Sequence, residues 1–587
     1  MTRANGNHRT RRSNALSKPL RQIWRKLRPS LPPSPTDAPF PESELGPLVR
    51  QDWDKWNAAR TRAKKGPRVL IATGIGGHPP STVMEAFLAA ALTLRGANVE
   101  FFLCDKQLPA CLMCNFMSFE SPEQLAIQGP QAKICNWCYP RGRAMYAPFD
   151  LPIRTFGEFL TDAMRARAQD IAAQVPLAEI QKYKFEGLEI GAHAFASAVR
   201  FFVKSDFWAE LTAEPILRRY LEAALLSAFA TRALLRATKY EVAVFHHGIY
   251  VSQGIFGEVA RQEQVRVVNW GPAYRKHSFL FSHHRSHHFT LLQEPSSVWE
   301  NLKWTPEMDK DLMEYVSSRW TGQNDWLGVS PIHQPTDTAL GQEIGIDFSK
   351  PTIGLLTNVL WDAQLFYEGN AYRDMRDWVF DTIEFFSKRP DLQLLIRVHP
   401  AEVRGTLVSR EQIIPAIYTR FPQLPKNIVI VPPESSVDTY RAMMQCDSVI
   451  IYGTKTGMEL ATLGIPILVA GEAWVRDKGI TLDAHTRDEY LELLERLPLR
   501  ERLGEKTVER ARKYAYHFFF RKMIPVYRVQ PAPGEWKSYR FDLDRLEDLR
   551  AADEIGLDVI CDGILNGREF IYPAENLRAR APVGIGI

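Results

Sequence analysis

The sequence predicts an α/β protein with two parallel-sheet domains, and three observations carry that prediction. Apolar strands alternate with helices in both halves of the chain, a pattern typical of βαβ units whose strands run parallel. A loop-rich stretch at about 318–350, with Gly, Pro, Asn and Ser, separates the two halves. A chain of 587 residues is also too long for a single core.

The first half begins with a βαβ unit. An apolar strand starts at Arg68 and runs into a Gly-rich turn, and a helix over about Ser81–Arg95 leads to a second strand, Val99–Leu103. The predicted elements that follow are amphipathic helices over 151–240, strands at Val242–Phe245 and Val265–Asn269, and a helix around Gly254–Gln262.

The second half repeats the alternation. Its predicted strands are Thr352–Asn358, Gln393–Val398, Asn427–Val431, Val449–Tyr452 and Ile467–Ala470, and its helices lie near Tyr372–Lys388, near Val437–Gln445 and after about Met458. We therefore predict two Rossmann-like domains, residues 46–335 and 336–510, followed by a closing helix and C-terminal extension over 511–587. Ligands of such open sheets bind at the carboxyl ends of the strands.

Charge is concentrated in the N-terminal tail, residues 1–45. Residues 1–30 hold nine Lys or Arg and no acid, so the net charge of +5 does not indicate a nucleic-acid-binding domain. The tail is predicted to be disordered. An alternative is that its Leu20, Ile23, Trp24 and Leu27, set among basic residues, lie on anionic lipid of an inner membrane face. No apolar run approaches the roughly 20 residues of a membrane span, and we expect a cytoplasmic protein.

Residues 448–471 have the pattern of a phosphate site. A buried strand, Ser448–Gly453, precedes a small polar turn and a helix. Hydroxyls and glycine between a strand and a helix leave backbone N–H groups available to an anion, and a lysine adds charge. The candidate ligands are Thr454, Lys455, Thr456 and Gly457. Arg397 and His399 end another buried strand and are candidates for the same anion.

Three motifs together resemble one family. They are the pair His399–Pro400, the pair Ser435–Ser436 after the strand NIVIVPP, and the segment YGTKTGMELATLGIP from Tyr452 to Pro466. In this order they resemble the bacterial capsule and surface-polysaccharide glycosyltransferases of the GT-B architecture, in which two Rossmann-like domains face each other across a cleft. The aromatic segment Arg512–Val526 resembles the closing helix of that family. The resemblance covers about 340–530 and is looser over 68–335.

The resemblance implies roles for several residues. In related transferases with CMP-linked donors, the His-Pro and Ser/Thr motifs hold the nucleotide phosphate, a role that falls here on His399, Ser435 and Ser436. Glu459 corresponds to a glutamate that accepts a ribose hydroxyl in many GT-B enzymes. GT-B enzymes stabilise the leaving phosphate without a metal, through helix N-termini and basic side chains. Each side chain also has a plain structural alternative, such as a helix cap or a strand end.

The first half offers candidates for the acceptor side. Gly76, Gly77 and His78 follow the first strand in a turn that allows a sugar or phosphate close to the backbone, and His246–His247 end a later strand. A histidine with a pKa near working pH suits a general base, and the candidates are His247 and His78, with His399 on the donor side. A denser group follows, His277, His283, His284, His287 and His288. We expect it to serve acceptor binding or the surface, with a metal as the alternative.

Five of the seven cysteines lie within 35 residues, in the pattern C-x6-C-x2-C-x20-C-x2-C. Two CxxC pairs at this spacing predict a zinc or iron–sulfur site in an insertion of the first domain. The predicted ligands are Cys111, Cys114, Cys135 and Cys138, with Cys104 as a spare or a replacement.

The sequence thus predicts a glycosyltransferase that moves a sugar from a nucleotide-sugar donor to a growing surface glycan, capsular polysaccharide or lipopolysaccharide. Three alternatives stay open: a GT-B-like nucleotide-sugar epimerase, a non-catalytic polysaccharide assembly or binding protein, and a redox enzyme suggested by the cysteines. An epimerase turns over nucleotide sugar without an acceptor, whereas a transferase needs one.

Overall fold

A computed structural model of the chain describes residues 42–119, 121–320, 325–326, 337–362, 369–405, 407–532 and 538–578. The predictions for the basic tail up to residue 41, including its lipid contact, lie outside the described residues. Within the part of the chain that the structure describes, we find no helix with the length and apolar character of a membrane span.

The described residues contain fifteen strands. They are β1 Arg68–Gly74, β2 Asn98–Leu103, β3 Ile153–Thr155, β4 Val242–His246, β5 Arg266–Pro272, β6 Ser278–His283, β7 Thr352–Leu356, β8 Gln393–Arg397, β9 Ile428–Val431, β10 Ser448–Ile451, β11 Ile467–Val469, β12 Leu482–Asp483, β13 Ile524–Pro525, β14 Val529–Pro531 and β15 Tyr539–Phe541.

The helices surround the sheets and connect their strands. They are α1 Gly46–Gln51, α2 Trp53–Ala63, α3 Pro79–Leu94, α4 Pro122–Gln128, α5 Asn136–Tyr146, α6 Asp162–Gln174, α7 Ile190–Phe202, α8 Ala213–Ala237, α9 Gln253–Gln262, α10 His287–Gln293, α11 Pro306–Arg319, α12 Asp337–Ile344, α13 Met375–Ser387, α14 Ala401–Arg404, α15 Ile413–Arg420, α16 Thr439–Met444, α17 Thr456–Thr462, α18 Arg487–Glu495, α19 Glu505–Tyr516, α20 Ile555–Asn566 and α21 Ala574–Arg578.

Two large sheets confirm the predicted mixed α/β class with parallel sheets. The first has the strand order β13-β6-β5-β4-β1-β2-β3, in which β1 to β5 are parallel, β6 is antiparallel to β5, and β13 is antiparallel to β6. The second has the order β12-β11-β10-β7-β8-β9 and is parallel throughout. Both sheets contain the 3-2-1-4-5 order of a doubly wound fold, as β3-β2-β1-β4-β5 in the first and β9-β8-β7-β10-β11 in the second. This order places a ligand crevice where it reverses. The predicted domain boundaries remain a prediction.

Burial explains why the central strands form. All of β4, β7 and β10 is buried, as parallel strands covered by helices on both faces require. Helix α3 begins with Pro79 and Pro80 in its first turn, where a missing N–H is harmless, and nearly all of its residues are buried against the first sheet.

The chain returns from the second sheet to the first through α19. This helix runs into a π-helical turn, His517–Lys522, and then into β13, which pairs with β6. The closing helix predicted over Arg512–Val526 therefore ends before β13. Glu294 anchors the crossing by accepting from His517 at 2.8 Å and from Lys522 at 3.2 Å. Burial opposes the charge, but these two partners lower the pKa of Glu294 to about 2.

Some elements were missed or misread in the sequence. The segment 278–283 was considered only as part of a histidine group, but it forms the antiparallel strand β6. Strand β3 lies within a region that was predicted to be helical. Ser435–Ser436 do not begin a helix. Helix α16 starts at Thr439, and the Asp438 side chain caps it by accepting from the N–H groups of Tyr440 and Arg441.

We predict that Gly556→Ala destabilises the protein strongly. A Cβ at Gly556 on α20 would lie 1.6 Å from the Pro525 carbonyl oxygen, so the helix would have to move off β13. Overpacking of this kind costs about 1–3 kcal/mol of unfolding free energy, measurable in thermal or urea unfolding. Gly504→Ala is the matched control, because no described atom lies within 4 Å of its Cβ position. Equal stability of the two variants would contradict the packing of α20 on β13.

Candidate active site

The candidate site lies at the carboxyl ends of the strands of both sheets. In the first sheet the order reverses beside β1, whose neighbours are β2 and β4, and in the second beside β7, whose neighbours are β8 and β10. The turns after β1 and β4 carry His78 and His247, and those after β8 and β10 carry His399 and Lys455. The structure therefore puts most sequence-predicted site residues at the positions where doubly wound sheets bind ligands.

His399 is held as a neutral hydrogen-bond donor. Its backbone N–H donates to Thr357 Oγ1 at 3.0 Å, and its Nδ1 accepts from the N–H of Ala401 at 3.1 Å. The proton of the neutral ring is therefore assigned to Nε2. Burial, with the nearby charges of Lys455 and Arg397, lowers the pKa of His399 to about 4. At neutral pH the half-buried ring offers an N–H without a charge.

The turn after β10 combines open space with polar groups. No described atom lies within 4 Å of the Cβ position of Gly453, so the end of this strand is accessible. Thr454 Oγ1 accepts from the Thr456 N–H at 3.3 Å, which shapes the turn. Gly457 faces inward, where a Cβ would lie 2.4 Å from the Ile451 side chain. Gly457 is therefore required for helix–strand packing, whereas Gly453 borders the crevice.

Glu459 lies at the centre of a buried ionic cluster. Its fully buried carboxylate accepts from Arg319 Nε at 2.8 Å, from Lys455 Nζ at 3.1 Å and from the Tyr440 hydroxyl. Arg319, the last residue of α11, also pairs with Asp325. Burial raises the pKa of Glu459, but Arg319 and Lys455 outweigh it, and the net pKa is lowered. The carboxylate predicted to accept a ribose hydroxyl thus already has three protein donors.

Arg397 is likewise bonded within the protein. Its guanidinium donates to the carbonyl oxygens of Pro432 and Ser435 and, at 3.2 Å, to Thr439 Oγ1. Ser435 Oγ in turn accepts from the Val437 N–H at 3.2 Å, while Ser436 is exposed. Arg397 therefore holds the loop that carries the two serines. A phosphate-binding role for these three residues stays a prediction.

The first sheet contributes a group of histidines. The ring centroids of His78 and His246 lie 5.3 Å apart, and those of His246 and His247 lie 5.7 Å apart. His247 has a positive φ of 65° and stacks on Tyr250 at 5.0 Å. Among the described residues, its buried Nδ1 has no hydrogen-bond partner. A ring nitrogen in that condition needs a polar ligand or water.

The dense histidine group divides between two places. His287 and His288 join the site: the ring centroids of His247 and His288 are 5.8 Å apart, and Trp474 Nε1 donates to the His288 carbonyl oxygen at 3.2 Å. His277 instead bonds the carbonyl oxygen of Val529, and His283 bonds that of Arg568, away from the cleft. His284 is exposed.

Desolvation keeps these histidines neutral. Burial, with the charge of Arg200, lowers the pKa of His78 to about 4, and burial alone lowers that of His288 to about 4. Burial and neighbouring His246 lower the pKa of His247 well below 6.5. Each ring is therefore unprotonated at neutral pH, but its pKa lies below the working pH expected from the sequence, so it is a weaker base than predicted.

The predicted close approach of a ligand to Gly76 and Gly77 has a different explanation. A Cβ at Gly76 would lie 2.2 Å from the Cys138 carbonyl oxygen, and a Cβ at Gly77 would lie 2.7 Å from the Trp137 ring. Both glycines are needed because α5 packs directly against the turn. A ligand at that turn stays a prediction and would have to bind the His78 side of it.

The predicted metal sites are not preformed. Among the described residues, no group of three or more His, Cys, Asp or Glu side chains is arranged to hold a metal ion. This applies to the histidine group and to the cysteines alike, and the five cysteines of the insertion are free thiols. The structure therefore does not support the predicted zinc or iron–sulfur centre as a formed site.

Sequence reasoning missed two cleft residues. Trp474, in the loop after β11, reaches across to His288. Asp362, in the loop after β7, carries a charge that, with burial, raises the pKa values of Tyr250 and Tyr274. The sequence did contain a signal for Asp362, because an acidic residue shortly after the end of a predicted strand is a candidate site residue. Trp474 offered none, because its partner lies 186 residues earlier in the chain.

We predict that Glu459→Ala destabilises the protein by about 3–5 kcal/mol, because it leaves buried Arg319 and Lys455 without their shared carboxylate. Chemical unfolding would measure the loss. Glu314→Ala, on the exposed face of α11, is the control and should change stability by less than about 1 kcal/mol. A Glu459 variant as stable as the control would show that the carboxylate is available to a ligand.

The family model described as capsule polysaccharide biosynthesis protein matches residues 349–516. A search of the curated proteins gave no match.

Solved structures resemble the chain at low identity. The beta Kdo 2,4 transferase of Thermosulfurimonas dismutans KpsC is 12% identical, with 53% of this chain and 87% of that chain covered and a TM-score of 0.32. The beta Kdo 2,7 transferase of the same KpsC is 12% identical, with coverage of 55% and 88% and a TM-score of 0.29. The UDP-GlcNAc 2-epimerase of Methanocaldococcus jannaschii is 9% identical, with coverage of 76% and 98% and a TM-score of 0.25.

These identities and TM-scores are too low to assign an activity or a substrate. The family match, in contrast, spans β7 to β12 and includes His399, Lys455 and Glu459. Over residues 349–516 the predicted resemblance to capsule polysaccharide biosynthesis proteins is thereby confirmed.

Proposed function

We propose that the protein is a glycosyltransferase of surface-polysaccharide synthesis, which moves a sugar from a nucleotide-sugar donor to a growing glycan. One observation carries the proposal: the capsule-biosynthesis match covers the whole second sheet, and its motif residues meet at the carboxyl ends of β8 and β10. Facing them are the neutral histidines of the first sheet. Glycosyl transfer requires a donor site and a proton acceptor that are held close to each other.

The second domain would hold the donor phosphate. His399 offers Nε2–H, the turn after β10 offers the Thr454 and Thr456 hydroxyls beside open space at Gly453, and the Lys455 ammonium, whose charge Glu459 balances, offers further N–H donors. These donors would stabilise the negative charge that develops on the leaving nucleotide as the glycosidic bond breaks. Arg397 and Glu459 act as positioning residues, because their polar atoms are bonded to the loop 432–439 and to Lys455.

The first domain would supply the base. In the transfer step the acceptor hydroxyl attacks the anomeric carbon, its proton passes to a ring nitrogen, and the nucleotide leaves with the bonding electrons. His247 is the best placed of the histidines, since its buried Nδ1 has no partner among the described residues and its ring lies near that of His288, which in turn lies near Trp474. His78 would orient the site from the turn after β1, through Ser81 at 3.0 Å.

We predict that one of CMP, CDP, UDP, GDP, dTDP or ADP stabilises the purified protein without added metal. A ligand at about 100 times its Kd adds about 2.7 kcal/mol, which a thermal-shift panel detects. His399→Ala and Lys455→Met should remove the shift, because they delete the donors to phosphate. His485→Ala, an exposed histidine of the same domain, is the control and should keep it. A full shift in the His399 variant would contradict this donor site, and no response from wild type would contradict a nucleotide donor.

We predict that His247→Asn lowers the transfer rate by about 10²–10⁴-fold and leaves nucleotide binding unchanged. Asparagine tolerates the left-handed backbone at this position. His284→Asn is a matched control, since His284 has a φ of 66° and is exposed. Because the pKa of His247 is lowered well below 6.5, the rate should begin to fall only at pH values below 6.5.

The assay for this variant uses the donor that responds in the thermal panel, with and without a glycan acceptor. A rate within tenfold of wild type would exclude His247 as the base. Turnover of the nucleotide sugar at full rate without an acceptor would favour an epimerase instead.

A further inference from the structure

Four of the five clustered cysteines line one small cavity. Cys104, Cys111, Cys135 and Cys138 surround a space of about 20 Å³ behind the turn after β1. They come from separate pieces of chain: the end of β2, the loop that follows it, a π-helical turn at Gln131–Cys135, and α5. The space exceeds the roughly 10–15 Å³ that one water-sized sphere needs.

Backbone N–H groups point at several of these sulfur atoms. The N–H of Gly77 donates to Cys138 Sγ at 3.1 Å. Backbone donors from Leu108 and Gln107 also reach Cys104. Hydrogen bonds of this kind stabilise sulfur that carries negative charge and are a feature of thiolate–metal centres.

Cys114 has a different environment from the other four. It is fully buried within the core around α7 and α8, and the Tyr220 hydroxyl donates to its carbonyl oxygen at 3.3 Å. Cys114 is close to Cys111 in the sequence, but it does not line the cavity.

We propose that Cys104, Cys111, Cys135 and Cys138 are the ligands of a thiolate-bound metal centre, a zinc ion or an iron–sulfur cluster. This set replaces the one predicted from the CxxC spacing, because Cys104 faces the cavity and Cys114 does not. The sulfurs surround the space without forming a coordination sphere, so metal binding would draw them inward and release their protons. The proposal does not depend on the proposed transferase activity.

The position of the proposed metal centre indicates a structural role. Cys138 lies on α5, which packs against Gly76 and Gly77, and the same turn continues into His78. The insertion also touches the second domain, where the Arg410 guanidinium lies 3.7 Å from the centre of the Phe116 ring. A metal that ties the four thiols together would therefore order the wall behind His78.

Metal analysis of the full-length protein tests the proposal. Protein purified without oxygen should contain one zinc per chain, or iron with sulfide and visible absorption, and the two results distinguish the metals. Cys104→Ser and Cys135→Ser should lose at least tenfold of the metal, whereas Cys114→Ala and Cys446→Ala should keep it. Cys446 is a buried single cysteine of the second domain, and it controls for the loss of any thiol.

A measurement on the wild type avoids reliance on variants that fail to fold. A thiol reagent should label the four ligands only after a strong chelator is added, with peptide mapping to identify them. Metal retained in Cys104→Ser but lost in folded Cys114→Ala would overturn the proposed set. Wild-type protein that takes up neither zinc nor reconstituted iron and sulfide under reducing conditions would overturn the centre itself.

Discussion

The buried carboxylate of Glu459 constrains how the two sheets face each other. Its donors come from three elements: Arg319 ends α11, Tyr440 lies on α16, and Lys455 precedes α17. A carboxylate with no exposure is tolerated only when such donors compensate the lost hydration. The arrangement therefore links α11 to the turn that borders the crevice. Lys455 also lies 4.6 Å from the centre of the Tyr274 ring, which belongs to the first domain.

This cluster bears on how a phosphate would bind. The charges of Arg319 and Lys455 are balanced by those of Asp325 and Glu459 within the cluster. A nucleotide phosphate would thus meet little net positive charge there and would depend on directed donors, among them Nε2–H of His399. Directed donors in a desolvated crevice stabilise a transition state more selectively than a diffuse positive field, because they match the geometry of the developing charge.

The order of the strands and the placement of the motifs were largely predictable, but the partners of the polar side chains were not. Hydrophobic runs predicted β1, β4, β7 and β10, and parallel topology then put His399 and Lys455 at one edge. Arg319, which bonds Glu459, lies 140 residues away in the chain, so no local pattern revealed that pair. The pair Ser435–Ser436 precedes a predicted helix and was interpreted as its start, but the residue that caps this helix is Asp438. The CxxC spacing also favoured Cys114 over Cys104 as a metal ligand, because spacing alone does not show which side chains line the cavity.

The turn after β1 connects the candidate site to the cysteine-bearing insertion. Gly76 and Gly77 have no room for a side chain because α5 packs against them, so the path of the chain into His78 is set by the cysteine-bearing segment. That segment also contacts the second domain through Phe116 and Arg410. The orienting role proposed for His78 depends on such support, because a reacting group must be held in a fixed position. The insertion is therefore best understood as a part of the cleft wall.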